Sequence, residues 1–154
     1  MRNNRLRRGF SLIELLIVIA IIMILASIAT VQVNKQLMSA HETAAVKTLN
    51  TIHQAELGYN SQFGRFAQNL VELGPPPSGA DGPAAAGLIP KKLADGKSSG
   101  YVFTVTGTPT GYSITAVPEA FGRTGGKCYF SDESMITRVS FTAEPATAAS
   151  PELK

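Results

Sequence analysis

The sequence predicts an α+β fold, in which one long N-terminal helix is followed by a small antiparallel sheet of about four strands. Neither glycine nor proline occurs between residues 10 and 57, and these two residue types are the usual helix stops. From residue 101 onward, apolar and polar residues alternate in short segments separated by turns, a pattern that indicates half-buried strands. With 154 residues, the chain has room for the helix and one small domain.

The first part of the predicted helix is apolar on every side. Between residues 10 and 31 the only polar residues are Ser11, Glu14, Ser27 and Thr30. A helix of about 20 apolar residues is long enough to cross a bilayer. Residues 10–31 are therefore predicted to form a transmembrane or filament-core helix. The four arginines before it are expected to stay on the cytoplasmic side; they are Arg2, Arg5, Arg7 and Arg8.

Glu14 is the one charged residue in this apolar run. A charge among membrane-buried residues costs at least about 2.5 kcal/mol, and such residues are usually paired and functional. If the chain is cut after Gly9, a new ammonium group appears on Phe10. An ion pair between that group and Glu14 of a neighbouring chain would satisfy both charges, whereas the same pair within one helix is awkward.

The segment from Gly9 through Phe10 to Glu14, with the apolar run behind it, resembles the prepilin signature of the type IV pilin superfamily. An ordinary signal peptide has its small-residue cleavage site after the apolar core, whereas here Gly9 precedes the core. The resemblance implies that residues 1–9 are a leader removed by a prepilin peptidase. It also implies N-methylation of Phe10 and a role for Glu14 in aligning subunits during assembly.

The resemblance further implies a structural protein rather than an enzyme. Its partners would be other copies of itself in a helical filament, the prepilin peptidase, an inner-membrane platform protein, an assembly ATPase and, before assembly, membrane lipid. Its place would be the bacterial inner membrane, then a surface pilus or a periplasmic pseudopilus. A pilus-like subunit is favoured, a type II secretion pseudopilin or minor pilin is the alternative, and a monomeric membrane-anchored binding domain is a rival from another class.

The second part of the helix is predicted to bury one face. Apolar residues recur there at helical spacing, which forms a stripe: Leu37, Ala45, Leu49, Ile52, Tyr59 and Phe63. Gly58 and Gly64 are expected to close the helix. Residues 32–154 would then form an extracytoplasmic domain, with helical turns near 69–73 and 88–94, a Pro- and Gly-rich loop over 74–87, and a flexible tail over 142–154.

Four segments are predicted to form strands, at residues 101–106, 112–116, 128–131 and 136–141. Their aromatic residues are expected to lie in the core rather than to form a ligand platform: Tyr101, Phe103, Tyr112, Tyr129 and Phe130. Cys128, the only cysteine, excludes an intrachain disulfide and is expected to be a half-buried strand residue. This differs from the many type IV pilins that carry a C-terminal disulfide loop.

No other pattern in the chain indicates a chemical site. His41 and His53 lie on different sides of the predicted helix and are expected to be partly exposed polar residues. The pair Asp132 and Glu133 is explained by a turn between strands, so neither a metal nor another cofactor is predicted. Without the leader, ten Lys and Arg remain against eleven Asp and Glu, and no nucleic-acid partner is evident.

Overall fold

The computed structural model describes residues 9–108 and 110–153, except for the side chains of residues 28–32. The predicted leader, up to Arg8, lies outside the described residues. The chain divides into two compact units, Met1–Gln36 and Leu37–Lys154. Each unit is described by itself below, and helix α1 contributes residues to both.

Helix α1 covers Leu12–Phe63 and has 52 residues, which confirms the predicted long helix. It continues through Gly58 and ends immediately before Gly64. Gly64 has a φ of +70°, in the left-handed region that favours glycine. Its amide donates to the carbonyl of Asn60 at 2.8 Å. Gly64, rather than Gly58, is therefore the glycine that closes the helix.

In the N-terminal unit, the apolar side chains of α1 face outward on all sides. Every residue from 10 to 27 is exposed, and the exposed fraction of the large apolar side chains runs from 44% at Ile19 to 83% at Phe10. This part of the helix buries no face of its own, which is unusual for a helix of a soluble protein.

Over the part of the chain that the structure describes, no helical segment combines the length and the apolar character that a membrane crossing requires.

The C-terminal unit contains a five-stranded antiparallel sheet, so the predicted α+β class is confirmed. The strands are β1 (Lys97–Ser98), β2 (Tyr101–Gly107), β3 (Tyr112–Pro118), β4 (Cys128–Asp132) and β5 (Arg138–Ser140), and they lie in the order of the chain. The sequence predicted four of them. It missed β1, because a strand of two residues is too short to show alternation.

The core of the C-terminal unit lies between α1 and one face of the sheet. Ala45, Leu49, Ile52 and Tyr59 of the predicted stripe are each 0% exposed, whereas Leu37 is 52% exposed. Leu37 is the first residue of this unit, so the buried stripe begins later than predicted. The inward positions of β2 and β3 alternate with exposed or half-buried ones, as the sequence predicts for a sheet with one solvent face.

Four of the five strand aromatics are buried, as expected, and the fifth is not. Tyr101, Phe103, Tyr112 and Tyr129 belong to the core. Phe130 is only half-buried, because it follows Tyr129 on β4 and therefore points to the opposite face of the sheet. Cys128 is 0% exposed, more deeply buried than the half-buried position expected for it.

The link between α1 and the sheet contains two short helices near the predicted positions, α2 (Leu70–Leu73) and α3 (Lys91–Ala94). The side chain of Asn69 caps α2 by accepting from the amides of Val71 and Glu72, and Pro90 precedes α3. An asparagine cap of this kind is typical of helix starts, whereas Pro90 makes no side-chain capping hydrogen bond.

A carboxylate on α2 holds the link against α1. Glu72 Oε2 accepts from Arg65 Nη1 at 2.8 Å, from the Tyr59 hydroxyl at 3.0 Å and from the Gln68 amide at 3.2 Å. Burial by itself raises the pKa of Glu72, but these hydrogen bonds outweigh it and the net shift is downward. The Arg65 guanidinium also lies 5.2 Å from the centre of the Tyr59 ring, so one cluster joins helix, link and α2.

The C-terminal segment lies along the free edge of β5. The Val139 amide donates to the Pro151 carbonyl and the Leu153 amide donates to the Thr137 carbonyl, both at 2.8 Å. Ala146 is 1% exposed. These contacts cover an edge strand, whose unpaired backbone groups otherwise invite pairing with another chain. These contacts do not measure motion, so the flexibility expected of residues 142–154 stays a prediction.

Candidate functional site

The sequence-predicted cleavage site lies just before α1. Gly9, Phe10 and Ser11 precede the helix. Phe10 is 83% exposed, and a Cβ added at Gly9 would have open space around it. Neither residue is therefore packed against the part of the N-terminal unit that the structure describes, and that part leaves the Gly9–Phe10 bond open to an external protease.

Glu14 lies in the first turn of α1. Its Oε2 atom accepts from the backbone amide of Ser11 at 3.4 Å. A carboxylate in this position partly satisfies a free amide at the start of the helix and is favoured by the helix dipole. The contact is long for a hydrogen bond between an amide and a carboxylate. Since the side chain is also exposed, the carboxylate can accept a stronger donor from outside its own helix.

The predicted site residues therefore lie together at the start of α1. Gly9 and Phe10 are adjacent in the segment before the helix, and Glu14 follows within its first turn. This short segment can do two things chemically: present a peptide bond and present a carboxylate surrounded by exposed apolar side chains. Within the described residues, no group of three or more His, Cys, Asp or Glu side chains could hold a metal ion.

A second group of polar residues, which the sequence did not predict, lies in the core of the C-terminal unit. His53 was expected to be partly exposed, but only 3% of it is exposed. Its Nδ1 atom lies 2.6 Å from the Tyr112 hydroxyl, and its Nε2 atom lies 2.8 Å from Ser131 Oγ. The Ser131 hydroxyl donates to the carbonyl of Ile136 at 3.1 Å.

These contacts determine the tautomer of His53. Because Ser131 uses its proton toward Ile136, it must accept from Nε2–H of His53, and Nδ1 then accepts from Tyr112. Burial lowers the pKa of His53, while the charge of Asp132 raises it in part. The imidazole is thus neutral and satisfied at both nitrogens. Ser131 is 0% exposed, so this histidine and serine join α1 to β3 and β4 and do not form a nucleophilic pair.

Glu56 lies one helical turn beyond His53 and is 0% exposed. Its Oε2 atom accepts from the amide of Ala67 at 2.9 Å, while its Oε1 atom has no partner among the described residues. The pKa of Glu56 is raised to about 7, chiefly by burial. The Ala67 hydrogen bond and the charge of Arg65 oppose this rise, whereas the charge of Glu72 adds to it. The carboxyl group therefore holds its proton well above the pH at which an exposed glutamate loses it.

The sequence does contain a signal for both buried groups. His53 follows Leu49 by four residues, and Glu56 lies four residues after Ile52 and three before Tyr59. These are the spacings that place side chains on one helix face. Polar residues at such positions of an apolar stripe are candidates for buried hydrogen-bonded groups.

We expect Glu56→Gln to stabilise the C-terminal unit at alkaline pH and to have little effect at pH 5. The folded state holds the Glu56 proton more tightly than the unfolded chain does, so stability falls as pH rises from the ordinary value of 4.5 to about 7. The variant should gain about 3 kcal/mol over the parent chain at pH 8. Urea unfolding of both proteins at pH 5 and pH 8, on a fragment beginning at Gln32, measures this difference.

Comparing variant with parent at each pH cancels the contribution of His53, which has the opposite sign. Since the pKa of His53 is lowered in the folded state, its contribution to stability is lost as pH falls below the ordinary value. Glu133→Gln is the matched control, because it makes the same substitution at an exposed carboxylate. An equal effect of Glu56→Gln at both pH values would contradict the assignment.

Comparison with known proteins concerns the N-terminal segment. Residues 4–30 match the family model described as the prokaryotic N-terminal methylation motif. This motif is the signature of type IV pilins and pseudopilins, so the resemblance inferred from Gly9, Phe10 and Glu14 is confirmed over these residues. No curated protein and no solved structure matches the chain.

Proposed function

We propose that this chain, whose residues 4–30 carry the type IV pilin signature, is a structural subunit of a type IV pilus-like filament. In this proposal a prepilin peptidase removes the leader, residues 1–9, and Phe10 becomes the N-methylated first residue. The subunit then polymerises through its apolar N-terminal helix. Its role is structural, and no step of it requires a catalytic group or a cofactor.

The observation that carries the proposal is the exposed apolar surface around Glu14. Thirteen large apolar side chains between Phe10 and Leu25 are exposed. Exposed apolar surface on this scale marks an interface with lipid or with other proteins. A helix that is apolar all round needs such surroundings on every side, and a bundle of identical helices provides them.

The role proposed for Glu14 follows from its weak local contact. The 3.4 Å contact to the Ser11 amide leaves the carboxylate able to accept the cationic amine that cleavage creates on Phe10. In a stack of parallel helices, the amine of an incoming copy would reach Glu14 of its neighbour. Desolvation offsets much of the Coulomb attraction between the two charges, so the main effect of the pair is to select the stagger in which neither charge is left unpaired.

We also propose where the subunit lies before assembly and which proteins it meets. Before assembly the subunit is held in the bacterial inner membrane by residues 10–31, with residues 32–154 on the extracytoplasmic side. The leader arginines support this orientation. A platform protein and an assembly ATPase would then extract the subunit into the filament. A periplasmic pseudopilus or a minor-pilin role uses the same N-terminal chemistry.

Mass spectrometry of the purified subunit tests the processing step. We expect the first residue to be Phe10, with one extra methyl group. Gly9→Val should leave the leader attached, because it places a branched side chain beside the cleaved bond. A chain that begins at Met1, or after Ala26 or Ala29, would overturn the prepilin assignment.

Electron microscopy separates the functional alternatives. Filaments in material sheared from the cell surface, identified as this chain by mass spectrometry, would support a pilus subunit. Filaments confined to the periplasm would indicate a pseudopilin. Full function of a fragment beginning at Gln32, without filaments, would support the monomeric binding domain instead.

A further inference from the structure

Two corners of the C-terminal unit carry charges that form no ion pair with a described residue, or only a solvent-exposed one. One is a cleft beside β1, here called the basic cleft, and the other is the turn between β4 and β5, here called the acidic turn. The basic cleft has a volume of about 290 Å³ and is lined by Thr48, Thr51, Pro90, Lys92, Leu93, Lys97 and Ser98. The acidic turn contains Glu133, Ser134, Met135 and Ile136.

Two lysines, Lys92 and Lys97, line the basic cleft together with the apolar residues Pro90 and Leu93. Lys92 forms no ion pair with any described residue, and Lys97 forms only a solvent-exposed one, with Glu119 at 3.5 Å. The hydroxyls of Thr48 and Thr51 donate to carbonyls of their own helix, so they do not compete as donors for an incoming anion. The cleft therefore suits one carboxylate with an apolar group beside it.

The acidic turn has the complementary composition. The carboxylate of Glu133 is exposed and forms no ion pair with a described residue, and it lies against Gly111, where an added Cβ would come within 2.8 Å of its carboxyl carbon. Next to it, Met135 and Ile136 are 49% and 40% exposed. The turn thus offers one carboxylate and two apolar side chains.

The acidic turn is held in one shape before any partner arrives. Asp132 Oδ1 accepts from the Ser134 amide at 3.0 Å, and the Met135 amide donates to the Asp132 carbonyl at 2.9 Å. Met135 has a φ of +60°, a conformation that a residue other than glycine rarely adopts. A surface shaped in advance loses less conformational entropy on binding.

These two sites lie at diagonally opposite corners and cannot meet within one chain. β1 and β5 are the two edges of the sheet. Along the strands, Ser98 pairs with Tyr101, whose other partner is Pro118 at the end of β3, whereas Asp132 pairs with Ser113 at the start of β3. Opposite edges and opposite ends separate the cleft from the turn.

A contact between different patches on two copies is heterologous, and repeating it produces a ring or an open helix. When the patches are diagonal, each added copy is displaced both along the strands and across the sheet. This displacement suits a helical filament and does not suit a two-fold dimer.

We infer that the acidic turn of one copy docks in the basic cleft of the next copy, with Glu133 between Lys92 and Lys97 and Met135 against Pro90 and Leu93. The inference rests on the proposed filament function and adds to it a contact between C-terminal units. The two lysines hold the carboxylate, and the apolar groups on both sides lose contact with water.

Charge reversal in the full-length chain tests the contact. Glu133→Lys and Lys92→Glu should each lower the yield of filaments by at least about tenfold, because each places like charges together at every subunit contact. The chain with both substitutions should recover part of the lost yield, because the reversed pair attracts again while the unchanged Lys97 still repels the new ammonium group.

Two matched controls separate the contact from a general effect of charge. Lys91→Glu changes the lysine adjacent to Lys92 that does not line the cleft, and Asp81→Lys changes an exposed acid outside the acidic turn. Both should leave filament yield unchanged. Harmless single reversals at Glu133 and Lys92, or a double variant no better than either single one, would overturn the docking.

A cross-linking experiment measures the contact directly. Filaments of a chain carrying both Lys92→Cys and Glu133→Cys should give a ladder of covalently linked multimers with a bis-maleimide cross-linker, because two side chains that meet at their tips hold their β-carbons too far apart for a disulfide. A chain with only one of the two introduced cysteines should give no ladder. The native Cys128 is buried and stays outside the reaction. Filaments without a ladder would overturn the docking and leave the filament function intact, whereas absence of filaments from the parent chain would overturn both.

Discussion

Glu14→Ala is expected to abolish filaments or to reduce them sharply, while synthesis, membrane insertion and cleavage after Gly9 stay normal. In the proposed filament, the amine of an incoming copy would then have no partner in the apolar core, and an unpaired charge there is strongly unfavourable. Electron microscopy of sheared material, with immunoblotting of the processed and unprocessed chain, measures assembly and cleavage separately.

Two further variants sharpen this test. Glu14→Gln keeps the shape of the side chain and removes its charge, so it should fail nearly as badly. Ser11→Ala keeps the backbone amide that contacts Glu14 and changes only the neighbouring polar side chain, so it should assemble normally. Normal assembly of both Glu14 variants would show that the proposed ion pair is wrong.

Ile52→Ala is expected to lower the free energy of unfolding of the C-terminal unit by about 2–5 kcal/mol, and Leu49→Ala should do the same. Both side chains are 0% exposed, and both belong to the core cluster between α1 and the sheet. Removing them leaves a cavity that the well-packed surroundings fill only in part. Urea unfolding of a fragment beginning at Gln32 measures the loss.

Leu57→Ala is the matched control for these two substitutions. Leu57 lies on the same helix, but 48% of it is exposed. Truncating this side chain should lower the free energy of unfolding by less than about 1 kcal/mol. A change below that level for both Leu49→Ala and Ile52→Ala would mean that the stripe does not carry the stability of the unit.

The residues proposed for processing and assembly could be predicted from the sequence because their chemistry is local. Gly9, Phe10 and Glu14 lie within six consecutive positions, and an apolar run with a single charge needs no tertiary information to be recognised. The long helix was equally predictable, since residues 10–57 contain neither glycine nor proline, and helical hydrogen bonds join residues only four apart.

A strand could be predicted from the sequence only where it was long enough for apolar and polar residues to alternate along it. β2 and β3 have seven residues each and show the two-residue period in the sequence. β1 has only two residues, and a strand of that length is too short to show a period in the sequence. Its existence depends on pairing with Tyr101 and Val102, which only the folded chain brings beside it.

The buried polar groups and the positions of the charges were decided by the tertiary structure. Spacing places His53 and Glu56 on the apolar face of α1, but whether a polar residue can remain there depends on partners far along the chain. His53 finds Tyr112 and Ser131, 59 and 78 residues away, and Glu56 finds the amide of Ala67. Burying a polar group is unfavourable unless it is hydrogen-bonded, and those partners reach their places only when the sheet packs against the helix.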